Sequence, residues 1–191
     1  MTTLTVVQKG GVVAIAADSL STQGSWKRPV GFTRGASKIL SVNGSYIASA
    51  GWAAHMAVLQ SLVRSRPEEF DLSSVDSIFE TFRNLHKTLV DDYYLKTEEE
   101  DDDQPYESSQ FTVLIANSTG IYEVQEYRQV IQCERSWALG SGCEFALGAM
   151  EALYEDASLS AKEIAERGVQ MGCMFDAGSG LPLESYEVKL T

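Results

Sequence analysis

Thr2 follows Met1 directly, and a threonine in that position can do chemistry that an internal threonine cannot. A small second residue favours removal of the initiating methionine, and the α-amine then exposed has a pKa of about 7.7 to 8.0. A useful neutral fraction is therefore present near pH 7 and can accept the threonine's own hydroxyl proton. Nucleophile and base become one residue. The hydroxyl still needs a positive neighbour, to hold the amine neutral and to favour the developing alkoxide. Lys38, in the strand-like stretch SKILSV, and Asp18, closing the apolar stretch VVAIAAD, are the charges available for this. A charge inside a strand is costly unless paired, so the two are expected to meet. Read as structure alone, the same pair is an internal salt bridge that closes a sheet.

Other nucleophilic chemistry is poorly supplied. A serine or cysteine triad needs a base, and the two histidines, His55 and His86, both fall in helical patterns. His55 reads as a helix-start residue and His86 as a helix-surface residue, both structural. Cys133, Cys143 and Cys173 form no CxxC pair and lie far from either histidine, which argues against a zinc site or a disulfide framework. They read as small core residues. GSGCEFALG places glycines between a strand and a helix but matches neither GxGxxG nor GxxxxGK[ST].

The rest of the chain must position these groups. Its 191 residues, 44% hydrophobic and 22% charged, suit one domain spanning 1–191. The net charge of −12 would repel a nucleic acid backbone. No apolar run approaches the roughly 18 residues that span a bilayer, so no membrane partner is expected. The start shows no basic segment followed by an apolar one, and a cytoplasmic location is expected. TTLTVV and GVVAIAAD flank the turn QKGG, and SKILSV and SYIASA flank Asn43-Gly44, a strong hairpin signal. From Gly51 the period becomes helical, with Trp52, Met56, Leu59 and Val63 on one stripe ending near Arg66-Pro67. Ser73-x-x-Asp76 resembles a capping box ahead of a second helix carrying Val75, Ile78, Phe79, Phe82, Leu85 and Leu89. An acidic stretch near 97–108, with six consecutive acids from Glu98 to Asp103, reads as an exposed loop.

Strands resume in QFTVLIA, GIYEVQEY and QVIQCE, and WALGSG reads as a strand entering a glycine turn. Two helices follow, CEFALGAMEALYE and a second opened by the capping box Ser160-x-x-Glu163, with Ile164, Gly168 and Met171 on one stripe. LESYEVKL is a last strand. Antiparallel strands alternating with helix pairs give an α+β protein, two antiparallel sheets face to face with helices on their outer sides.

With these residues in view, the chain resembles the proteasome β-subunits and the bacterial HslV peptidases, N-terminal-threonine hydrolases with a four-layer αββα sandwich. The likeness runs through TTLTVVQKGGVVAIAADS, SKIL, SAGWAAH, LGSG and LSAKEIAERGVQMG, the last especially similar to HslV. DAGSG, with Asp176-x-x-Ser179-Gly, is closer to the proteasome pattern. The mixture resembles the smaller group of bacterial proteasome homologues related to HslV.

The resemblance implies Thr2 as nucleophile, Asp18 and Lys38 as the tuning pair, Ser141 on the Thr2 amine, and Asp176 with Ser179 orienting that cluster. It implies the Gly51 amide as oxyanion donor. Thr22 and Ala53 are implied to pair with an extended peptide through main-chain bonds, and Ser49, beside Ala48, to face the first specificity pocket. No metal or other cofactor is implied. The implied partners are further copies of the chain in a stacked double ring, a tetradecamer in preference to a dodecamer because of DAGSG. An AAA+ ATPase unfoldase and unfolded protein as substrate are implied as well. As in HslV, unmasking is expected to depend on methionine removal. The segment from Asp18 to Lys38 is longer than in typical members, and the acidic stretch has no counterpart. Two other activities fit the same residues: an amidohydrolase acting on small amides, and a proteasome-like ring that binds proteins without cleaving them.

Overall fold

The computed structural model describes residues 1–32, 37–96 and 105–191; most of the acidic stretch, residues 97–104, lies outside the described residues. Two consecutive hairpins begin the fold. β1 (Leu4–Lys9) and β2 (Val12–Asp18) are joined at Gly10-Gly11, both at positive φ. β5 (Ile39–Val42) and β6 (Ser45–Gly51) are joined by Asn43 at φ 48° and Gly44 at φ 78°, the two left-handed residues that a twisted two-residue turn needs. Between them lies a short hairpin of β3 (Ser21–Gln23) and β4 (Trp26–Arg28), which the sequence does not announce because STQGSWKR lacks apolar alternation.

α1 (Ala53–Ser65) and a 3-10 turn at Pro67–Glu69 follow, then α2 (Val75–Asp91). The strands β7 (Phe111–Asn117), β8 (Gly120–Val124), β9 (Val130–Cys133) and β10 (Ser136–Leu139) come next. α3 (Cys143–Leu153), α4 (Ala161–Phe175) and β11 (Leu183–Lys189) complete the order. One sheet runs β10-β1-β2-β11 and the other β5-β6-β7-β8-β9, both antiparallel throughout.

Three apolar layers hold this together. Leu4, Val6, Val13, Ile15, Leu114 and Ile121 fill the space between the sheets. Alternate residues of the same strands, Val7, Ala14 and Ala16, turn the other way and meet Met150, Ile164 and Val169 of α3 and α4. Ile47, Val113 and Ile115 of the five-stranded sheet meet Leu59, Ile78, Phe82 and Leu85 of α1 and α2. The result is the expected four-layer αββα sandwich. Tyr46 and Tyr186 stack across the gap between the sheets, with centroids 4.6 Å apart.

Four local expectations are corrected. Trp52 is the N-cap of α1 and is exposed, because it precedes the first helical turn and so escapes the buried stripe of Leu59, Leu62 and Val63. Ser74, not Ser73, caps α2 by accepting the Ser77 N–H, since the Ser73 hydroxyl is committed to Asp71. Lys38 lies one residue ahead of β5 rather than inside it. His86 is not an open surface group: its side chain is only 12% exposed, and its ring nitrogens meet Ser109 and Glu107. The Ser160–Glu163 capping box forms as expected.

Candidate active site

The residues leading into β1 are laid in a furrow of glycines. A Cβ on Gly140 would fall 2.2 Å from the Thr2 carbonyl oxygen, one on Gly142 2.1 Å from Thr3 Oγ1, and one on Gly172 2.3 Å from the same atom. No other residue fits at those three positions without moving β1. The Gly142 N–H donates to the Thr2 carbonyl at 3.3 Å, and the Asp18 N–H to the Thr3 carbonyl at 3.1 Å. Met1 rests its side chain on Gly178, where a Cβ would meet the Met1 Cβ at 2.2 Å.

Asp18 ends β2 with its side chain fully buried. A lone carboxylate there would cost several kcal/mol. Instead both oxygens are saturated. Oδ1 accepts from Thr2 Oγ1 at 2.7 Å, from the Thr3 N–H at 3.0 Å and from Lys38 Nζ at 2.6 Å. Oδ2 accepts from the Leu20 N–H at 3.1 Å and the Gly180 N–H at 2.9 Å.

Lys38 Nζ also donates to Thr2 Oγ1 at 2.6 Å. The threonine hydroxyl therefore sits between an ammonium and a carboxylate. Burial pushes the Lys38 pKa below the ordinary lysine value, and the neighbouring Asp18, Cys173 and Glu184 oppose that only in part. Burial in turn pushes the Cys173 thiol up to about 11, which keeps it a neutral neighbour at physiological pH.

A second cluster holds the Thr2 nitrogen. With Met1 attached that nitrogen is an amide, and it donates to Ser141 Oγ at 3.2 Å. Ser141 donates to Asp176 Oδ2 at 2.7 Å, and Ser179 donates to the same oxygen at 2.6 Å. Thr3 Oγ1 and Ser179 Oγ are 2.7 Å apart, so Thr3 ties the two clusters together. Burial alone would raise the Asp176 carboxyl. The Ser141 and Ser179 hydroxyls and the Gly178 N–H outweigh it and hold the group below its ordinary value. Ser141 comes from the turn after β10, Asp176 from the end of α4, and Ser179 from the turn that follows.

The six residues read from the sequence as catalytic thus share one hydrogen-bonded cluster. The other four lie on β3, β6 and α1. Gly51 ends β6 at φ 151°, and a Cβ there would fall 2.8 Å from Phe111 Cβ and 2.9 Å from the Gln110 carbonyl, so only glycine fits. Ser49 is part-buried on β6, with its hydroxyl 3.9 Å from Met56 Sδ. Ala53 opens α1, and Thr22 lies on β3 opposite Lys27.

Sequence reasoning missed Thr3, the Leu20 and Gly180 amides, and Glu184. Backbone donors leave no mark in a sequence. Glu184 did leave one: in LESYEVK it shares the alternation of Tyr186 and Val188, which face the other sheet, and a carboxylate in that phase needs a reason. No three His, Cys, Asp or Glu side chains among the described residues are grouped to hold a metal ion. No described helix is long and apolar enough to cross a membrane.

No protein-family model and no curated protein matches the chain. Solved structures do. The BPH of Thiobacillus denitrificans in complex with epoxomicin is 39% identical over 99% of this chain and 99% of its own, with a TM-score of 0.91. Another structure of that BPH is 40% identical over 99% of this chain and 98% of its own, also at 0.91. The eukaryotic HslV from Trypanosoma brucei is 22% identical over 98% and 99%, with a TM-score of 0.72, a likeness of fold.

Proposed function

Because this chain belongs to the family of bacterial proteasome homologues, we propose that it is a threonine peptidase whose nucleophile is Thr2. The observation that carries the reading is the position of Thr2 Oγ1, 2.6 Å from Lys38 Nζ and 2.7 Å from Asp18 Oδ1, with the Thr2 nitrogen 3.2 Å from Ser141 Oγ.

Removal of Met1 converts the Thr2 amide into an amine whose lone pair takes the Oγ1 proton as the oxygen attacks a peptide carbonyl. The Lys38 ammonium lowers the cost of the alkoxide, and Asp18 keeps that ammonium aimed. The Gly51 N–H receives the oxyanion, a contribution of about 3 kcal/mol for one such donor. Collapse breaks the C–N bond, the leaving amine takes the proton from the Thr2 ammonium, and an ester on Oγ1 remains. Water, deprotonated by the same amine, then releases the second product and restores the hydroxyl. Ser141, Asp176 and Ser179 orient the amine throughout. Thr22 and Ala53 pair with the main chain of an extended substrate, and Ser49 faces the side chain before the cut.

The finer reading follows the family resemblance. The chain acts on unfolded protein inside a stacked double ring of its own copies, a tetradecamer, fed by an AAA+ ATPase. It forms a single domain and works without metal or other cofactor.

The test is the intact mass of the protein purified from its own cells, before and after epoxomicin, the compound bound in the relative's structure. Loss of one methionine and gain of a single adduct, absent from Thr2→Ala, is expected. In the same experiment Thr2→Ala lowers peptide turnover at least about a thousandfold, as loss of a nucleophile does in other hydrolases. Unchanged turnover in Thr2→Ala would sink the assignment. Particle mass by light scattering is expected at fourteen copies; a dodecamer contradicts the ring size.

A further inference from the structure

Lys38 precedes its strand by one residue, so the β5–β6 ladder, which begins at the Ile39–Ala48 pair, does not fix it. Something else must. The Glu184 carboxylate, projecting from β11 of the opposite sheet, accepts the Lys38 N–H at 2.7 Å and the Ile39 N–H at 3.2 Å on one oxygen, Oε1. The Ser37 hydroxyl lies 2.9 Å from Oε1 and 2.8 Å from Oε2. From the other side Gln60 of α1 donates to the Ser37 carbonyl at 3.3 Å. Three consecutive residues at the root of Lys38 are thus fastened to one carboxylate, and that carboxylate sits on the strand that pairs with β2 at Asp18, where Leu183 lies opposite Asp18.

We propose that Glu184 is a positioning residue for Lys38, holding the backbone that aims the ammonium at Thr2 Oγ1 across the gap between the sheets. This rests on the peptidase reading above. Charge-assisted bonds from backbone N–H groups are shorter and stronger than neutral ones, so a carboxylate suits the task better than an amide. Glu184 has a second effect through space, since its negative charge favours the charged form of Lys38. The charged and titratable neighbours of Lys38 are Asp18 from β2, Cys173 from α4 and Glu184 from β11. The electrostatic coupling is separable from the hydrogen bonds. In Glu184→Gln the amide oxygen can still accept the Lys38 and Ile39 N–H groups and the amide nitrogen can donate to Ser37 Oγ, so geometry is retained and charge is lost. In Glu184→Ala both are lost.

The experiment measures kcat and KM of the assembled full chain on a fluorogenic peptide across pH, for wild type, Glu184→Gln, Glu184→Ala and Thr2→Ala, with particle mass and melting temperature for each. Glu184→Ala is expected to lower kcat about thirtyfold with KM within about twofold, as small misplacements of catalytic groups do. Glu184→Gln is expected to lose about threefold by the same reasoning. In both variants the alkaline limb of the kcat profile moves to lower pH, because removing a nearby negative charge makes Lys38 lose its proton sooner. Two results overturn the proposal: wild-type kcat and an unmoved limb in both variants, or losses that merely track lost melting temperature and assembly with the limb unmoved. Should Thr2→Ala equal wild type, the peptidase reading itself fails, and that control separates the two failures.

Discussion

Thr2 Oγ1 lies between Lys38 Nζ and Asp18 Oδ1, while Ser109 Oγ lies 3.0 Å from His86 Nδ1, with Glu107 3.3 Å from His86 Nε2. Each cluster contains a hydroxyl, a side-chain nitrogen and a carboxylate. By residue type the second is closer to the familiar serine triad. Its partners, however, serve a different purpose. Arg128 Nη1 donates to Ser109 Oγ at 3.1 Å and to the Glu107 carbonyl at 2.7 Å, and the Ser109 N–H donates to the Glu126 carbonyl at 2.8 Å. These bonds clasp the chain entering β7 to α2 and to the turn between β8 and β9. Ser109 is buried, and Glu107 is 61% exposed, where water competes for its oxygens. In the threonine cluster the carboxylate is wholly buried, and three of the bonds to it come from backbone N–H groups, those of Thr3, Leu20 and Gly180. What separates a site from a clasp is therefore the carboxylate's surroundings: a desolvated, saturated anion can hold a neighbouring cation to one geometry, and an exposed one cannot.

The sharpest way to break this contrast within the threonine cluster is to remove its cation. Lys38→Met is expected to lower kcat by about a hundredfold or more, the scale of losing a preorganised electrostatic partner of the transition state. The wild-type alkaline limb, which falls below the ordinary lysine value of 10.5 because burial lowers the Lys38 pKa, should vanish from the residual activity. A limb that survives in Lys38→Met belongs to another group and would remove Lys38 from its role.

A smaller effect is expected from the furrow under β1. Gly172→Ala puts a methyl group 2.3 Å from Thr3 Oγ1 and 2.5 Å from its Cγ2, so β1 must lift from α4. Overpacking of this kind costs about 1 to 3 kcal/mol of stability, readable by denaturant melting. Turnover should fall with it, because Thr3 carries Thr2. A Gly172→Ala variant as stable and as active as wild type would mean that Gly172 does not seat the start of β1.

The smallest effect belongs to the clasp. Ser109→Ala is expected to leave peptide turnover within about twofold and to reduce stability by about 1 kcal/mol, the net value of a lost hydrogen bond. A large loss of turnover there would erase the distinction between the two clusters.

How much of this was readable from residues alone differs between fold and site. The order of strands and helices was legible because hydrophobic period and turn residues are local: Asn43-Gly44 and Ser160-x-x-Glu163 each declare their structure within four residues. Where two neighbours offered the same chemistry, as Ser73 and Ser74 did, the bond that Ser73 makes to Asp71, two residues back, decided. The β3–β4 hairpin was silent because its exposed residues have no core phase to reveal it. Within the site, charges in apolar strands pointed to Asp18 and Lys38. The backbone donors on Asp18 and the anchoring of Lys38 by Glu184 depend on pairing between distant strands, which no local pattern encodes.

That distance has a consequence for the timing of synthesis. The site joins residues at the two ends of the chain: Thr3 meets Ser179 across 176 positions, and the Gly180 N–H reaches Asp18 across 162. On the ribosome, where chains grow at about 5 to 20 residues per second, Thr2 emerges on the order of ten seconds or more before the groups that complete its surroundings. Until then Asp18 has no Gly180 amide to saturate it, and Ser141, once made, still waits for Asp176. A chain built in this order cannot complete the surroundings of Thr2 until Gly180 has been added.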